Sequence, residues 1–174
     1  MSLSAQCRWR HSNARCGKRD RNHAKPTITR EVTVNEIGLT GHLFEEKVIG
    51  VCKARWTGAY MRYREAVEEV RKNQPPLRTP TAAKLVALVS EKLGQPVRFC
   101  TAVGSCADIL HGIDGFFELQ GKPEFVVTID LTLNTNKDAC KADLLVTLED
   151  VKNLPVLAAR VAGRFNTQLT RRAV

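Results

Sequence analysis

The stretch His111–Val146, HGIDGFFELQGKPEFVVTIDLTLNTNKDACKADLLV, decides how the chain folds. Residues Gly115–Leu119 and Glu124–Leu133 read as strands, joined by Gln120-Gly121-Lys122-Pro123, a turn by composition. The resulting hairpin sets Asp114 at the start of one strand and Asp130 within the next, near one another. On the second strand the alternation puts Phe125, Val127, Ile129, Leu131 and Leu133 on a core face. The opposite face, with Val126, Thr128, Asp130, Thr132 and Asn134, becomes polar towards its C-terminal end. A polar connection, Asn134–Lys141, leads to a third strand over Ala142–Leu148.

Upstream, the residues from Leu43 to about Asn73 carry apolar positions at intervals of three and four, among them Phe44, Val48, Cys52, Trp56, Tyr63, Val67 and Val70. That spacing predicts one long helix, or two broken near Gly58, opened by Thr40 or Gly41. Glu45 precedes Val48, Cys52 and Trp56 on the same face, so its carboxylate is expected to turn towards the core. The QPPLRTP segment, Gln74–Pro80, stops this helix. Thr79-Pro80-Thr81 starts another, which Gly94 ends. A strand is expected within Gln95–Val103, followed by a small-residue loop, GSCAD, that carries the chain to His111. Leu154–Leu169 predicts an amphipathic closing helix with Leu157, Val161 and Phe165 inward and Arg160 and Arg164 outward.

The 174 residues suit one domain preceded by an extension. Residues 1–30 hold eight Lys or Arg against Asp20 alone, with almost no apolar side chain besides Trp9. They read as a basic, extended N-terminal arm, and 31–174 as the folded domain, with Thr33–Leu39 a short strand or loop. Cys7, His11, Cys16 and His23 could ligate Zn²⁺, but the spacing C-x3-H-x4-C-x6-H matches none of the common finger patterns. An Arg-rich, acid-poor arm also suits an organellar presequence. The net charge of +9 favours polyanionic partners, nucleic acid first and DNA within that class, over acidic protein or anionic lipid. No run is long and apolar enough for a membrane span and the first thirty residues lack a secretory core, so a cytoplasmic protein with reduced thiols and no membrane partner is expected. A homodimer is compatible with this reading.

Gathered carboxylates in a basic protein point to phosphodiester chemistry. Hard cations such as Mg²⁺ or Mn²⁺ take oxygen ligands and bridge to phosphate. The pattern G-x-x-F-E at Gly41–Glu45, G-I-D at Gly112–Asp114, I-D-L-T at Ile129–Thr132 and K-A-D at Lys141–Asp143 resembles the restriction-endonuclease-like PD-(D/E)xK nucleases over residues 41–165. The resemblance implies an α/β (α+β) fold, a central mixed sheet flanked by helices, with a core of helix, three antiparallel strands, helix and further strand. It also implies a Mg²⁺-dependent (or Mn²⁺-dependent) DNA endonuclease, in which Asp114 and Asp130 hold metal and Glu45 assists. The family's lysine, two residues after the second acid, is replaced by Thr132. Lys137 and Lys141 could supply an ammonium from just beyond the strand, Lys137 being better placed by reach. The alternative is a non-catalytic nucleic-acid-binding or assembly protein that retains the fold. Each residue also has a purely structural reading: Asp114 as a turn residue, Asp130 as a half-exposed strand residue, Glu45 as a solvated helix residue, Asp108 as a loop cap and His111 as packing.

Overall fold

The structure, a computed structural model, describes residues 40–173 apart from 77, 138 and 139. The basic arm, its zinc candidates Cys7, His11, Cys16 and His23, and the segment Thr33–Leu39 lie outside the described residues. The rest forms a mixed α/β fold in which a four-stranded sheet is flanked by helices.

Helix α1, Gly41–Ile49, starts where Thr40 accepts the amide of Leu43 through its side chain. It ends at Gly50, whose φ of 78° and ψ of −176° leave the helical region. Of the two expectations, the structure has two helices rather than one, but the break is wider than a kink at Gly58: residues 50–62 are irregular, and α2 spans Tyr63–Lys72. The cause is tertiary. The amides of Cys52 and Trp56 donate to the carbonyls of Val103 and Gly104, and that of Lys53 to Asn73, so this segment satisfies its backbone outside any helix.

Helix α3, Pro80–Leu93, has the predicted ends, with Thr79 capping the amide of Ala82, proline in the first turn and Gly94 in the left-handed conformation. Strand β1, Val97–Thr101, follows. The GSCAD segment then departs from its reading as a loop, because Cys106–His111 forms a short helix, α4, capped by Ser105 and closed by Gly112 at φ 65°. Strands β2, Gly115–Leu119, and β3, Lys122–Thr132, make the hairpin, with Gly115 opposite Ile129 and Phe117 opposite Val127. Strand β4, Leu144–Thr147, is followed by α5, Leu148–Lys152, and α6, Leu154–Ala173.

The strands lie in the order β1-β2-β3-β4, antiparallel except for β3 and β4, which run parallel. Parallel neighbours need a crossover, usually helical. Here residues 133–143 make it, and among the described ones none is helical, so the helix that the resemblance implies between the third and fourth strands is not seen there.

One sheet face carries Phe99, Phe117, Val127, Ile129 and Leu131 into a core with Phe44 and Val48 of α1, Leu85 and Val89 of α3, and Leu157, Val161 and Phe165 of α6. The other packs Cys100 and Phe116 against Ala66, Val67 and Val70 of α2 and Cys106 and Ala107 of α4. On this second face Thr128, Asp130 and Thr132 are buried, whereas alternation alone suggested a half-exposed polar face. Cys52, Cys100 and Cys106 are buried free thiols, and burial pushes Cys100 up to about 11. Among the described residues, no helix is long and apolar enough to cross a membrane.

Candidate metal centre

Three elements bring carboxylates to one place. On α1, Phe44 and Val48 pack into the core, and Glu45, beside that stripe, keeps its side chain only 18% exposed. On α4, the N-terminal turn set by Ser105 brings Asp108 back onto the amide of Gly104, at 2.7 Å. Asp114 precedes β2, and its backbone is fixed from both sides: its amide donates to Ile129 and its carbonyl accepts from Ala102. Its Oδ2 accepts the amide of Leu131 at 2.5 Å, so the carboxylate occupies a place that a strand carbonyl would otherwise fill.

Glu45, Asp108 and Asp114 each offer one carboxylate oxygen, and these lie within 4.8 Å of one another. Asp130 is not one of the three. Asp114 precedes Gly115 and Asp130 follows Ile129, so the two aspartates leave the paired residues Gly115 and Ile129 in the same direction. The Asp130 carboxylate is held by the ammonium of Lys137, Oδ2 to Nζ at 2.6 Å.

The electrostatics follow from this packing. Burial, reinforced by the charges of Glu45, Asp108 and Asp130, raises Asp114 to about 8 against the opposing amide of Leu131. Burial and the neighbouring Asp108 raise Glu45, and burial raises Asp108 against the opposing amide of Gly104. His42 approaches Glu45 at 3.7 Å, while among the described residues no Lys or Arg pairs with Glu45, Asp108 or Asp114. Like charges confined without a counter-charge hold protons, and a divalent cation would supply that counter-charge. The all-oxygen donor set suits a hard ion of the Mg²⁺ or Mn²⁺ type.

The remaining sequence candidates fall elsewhere. Thr132 is buried, and its hydroxyl accepts the amide of Asn134. The Lys141 ammonium is 3.4 Å from the carbonyl of Leu110, and His111 meets the carbonyl of Met61 through Nε2 while its ring stands edge-on to Tyr63. Asp108 is the member of the cluster that sequence reasoning treated as a loop cap. A signal was available in Ser105-Cys106-Ala107-Asp108, which has the S-x-x-D form of a helix start.

In comparisons with known proteins, no family model, no curated protein and no solved structure matches the chain.

Proposed function

We propose that the chain is a metal-dependent endonuclease acting on DNA, built on a restriction-endonuclease-like core in which the crossover to β4 has no helix among its described residues. The observation that carries the reading is the convergence of Glu45, Asp108 and Asp114 within 4.8 Å, beside an Asp130 already paired to an ammonium. Glu45, Asp108 and Asp114 would hold Mg²⁺ or Mn²⁺. When bound, such an ion supplies Lewis-acid charge at a phosphoryl oxygen. Asp130 positions Lys137, whose ammonium stands in for the lysine missing at Thr132, orients the attacking water and offsets negative charge as the phosphodiester is cleaved. The chain's excess of basic residues favours a phosphate backbone as the partner.

Plasmid and branched DNA incubated with the purified protein and Mg²⁺ or Mn²⁺ test this. Wild type cuts, and Asp114→Asn abolishes cutting. Absence of wild-type cleavage, or full cleavage by Asp114→Ala, overturns the enzymatic reading.

A second reading, a nucleic-acid-binding or assembly protein without catalysis, draws on one observation: at the place of the family's lysine stands Thr132, a buried residue whose hydroxyl accepts the amide of Asn134 and which carries no ammonium. It predicts binding that falls steeply with salt and does not respond to metal.

A further inference from the structure

The aromatic residues of this protein are segregated. All six phenylalanines, Phe44, Phe99, Phe116, Phe117, Phe125 and Phe165, are buried. Both tyrosines and one of the two tryptophans fall instead within one short segment and face solvent, with Trp56 40%, Tyr60 78% and Tyr63 43% exposed. Burial of a large ring stabilises a fold, so rings left in water at one place mark a surface kept for contact.

The same segment, Lys53–Arg64, interleaves these rings with cations. Lys53, Arg55, Arg62 and Arg64 are exposed, and none makes an ion pair among the described residues. By contrast Arg71, Arg98 and Arg160 are each matched to a carboxylate. The segment is a built surface rather than a loose loop. The indole Nε1 of Trp56 donates to the carbonyl of Ala59 at 2.9 Å. A Cβ at Gly104, where φ is 80°, would collide with the Arg55 guanidinium, so the absence of a side chain there lets Arg55 lie against the turn before α4.

Its position relates it to the acidic cluster. The amide of Trp56 donates to the Gly104 carbonyl, and the Gly104 amide donates to Asp108. At the other end of α4 the Met61 carbonyl meets His111, whose ring packs on Tyr63 with centroids 5.7 Å apart. The segment thus straps the helix that carries Asp108, held at both ends. Beside Tyr63 and His111 opens a cleft of about 330 Å³, bordered also by Lys141 and Asp143.

We infer that Lys53–Arg64 is a binding surface for unpaired nucleotides, with Tyr60, Trp56 and Tyr63 stacking on bases and the intervening cations contacting phosphates. Rings alternating with cations suit single-stranded nucleic acid because every base has a π-face to stack, whereas a duplex hides those faces and shows phosphate alone. This deepens, and rests on, the reading of the chain as a nucleic-acid-directed hydrolase, and it names the substrate class: nucleic acid with unpaired bases, such as a single strand or the open part of a branch.

The test is fluorescence anisotropy of the full chain with a labelled oligo-dT and a duplex of equal length, in EDTA at physiological salt, so that cleavage plays no part. Wild type favours oligo-dT by at least about tenfold, the effect of one stacked base. Tyr60→Ala weakens oligo-dT by roughly 5- to 100-fold with little change for the duplex, and Tyr60→Phe, which keeps the π-face, stays near wild type. Tyr60 is the most exposed of the three rings, so its loss spares the fold. Equal affinity for both probes, equal loss on both, or no response to Tyr60→Ala overturns the inference, the last pointing to a protein occupant. Failure of the nuclease reading shows separately, as selective binding in EDTA without cutting when Mg²⁺ is added.

Discussion

The ammonium of Lys137 lies 2.6 Å from Oδ2 of Asp130, seven residues away along the chain and past the end of β3. The pair joins a buried strand residue to the crossover that leads into β4. It also gives an ammonium partner to Asp130, whose negative charge adds to those of Glu45, Asp108 and Asp114.

If that charge serves the chemistry, Lys137→Ala lowers the cleavage rate by about 10²- to 10³-fold, the usual effect of removing one preorganised donor to a transition state. Metal affinity changes little, because Lys137 is paired to Asp130 and not to the three clustered carboxylates. Single-turnover cleavage at saturating Mg²⁺, beside calorimetric Mg²⁺ titration, separates the two effects.

The raised carboxyls make stability depend on pH. Asp114 rises from 3.8 to about 8 on folding, so the folded state binds a proton that the unfolded state has released. That contribution is fully present below the unfolded pKa and is lost as pH climbs through about 8, with a slope of at most about 1.4 kcal/mol per pH unit per group. In EDTA the melting temperature therefore falls across this window, and Asp114→Asn, which keeps the neutral form, flattens the fall. Mg²⁺ raises the melting temperature most at the alkaline end, where the carboxylates are free to take it. Circular dichroism melts across a pH series, with and without Mg²⁺, read all three.

Gly115 stands where no side chain fits. A Cβ there would come within 2.6 Å of Phe99 Cζ and 3.1 Å of the Cys100 carbonyl oxygen, on the neighbouring strand. Gly115→Ala destabilises by about 1–3 kcal/mol, as overpacking in a tight core does. It also disturbs Asp114, its immediate neighbour, so urea unfolding and Mg²⁺ titration of this variant shift together.

Arg71 covers a buried charge. Its Nε donates to Glu118 at 2.7 Å, the Glu118 side chain is 7% exposed, and the other cation near it, Arg98, is 3.6 Å away. Arg71→Ala costs about 3 kcal/mol by leaving that carboxylate under-paired in a low-dielectric site. Replacing both partners together with Met and Leu costs much less. Denaturant unfolding of the single and double variants measures the difference.

How much of this was legible follows from how local each determinant is. The hairpin and the α3 boundaries rest on period-two alternation, Thr79-Pro80 and Gly94, which act over a few residues, and the structure has them close to where they were read. The end of α1 was not legible, because residues 50–62 leave the helix for partners at Val103 and Gly104, far along the chain. Helix α4 is six residues long and too short for an apolar period, so Asp108 was read as a loop cap. Glu45 and Asp114 could be named from sequence because each neighbours an apolar run. Their meeting with Asp108 depends on how α1 and α4 sit on the sheet, which no local pattern encodes.

The sorting of aromatic rings also fixes what light can report. Both tyrosines and Trp56 sit on the strap, while the six core rings are phenylalanines, which absorb and emit weakly. Emission from the folded domain is thus a signal of what touches its surface and is nearly silent about its interior. With Trp9 replaced by Phe, quenching of Trp56 reads occupancy of the strap, and loss of the core is seen through the backbone's far-ultraviolet bands.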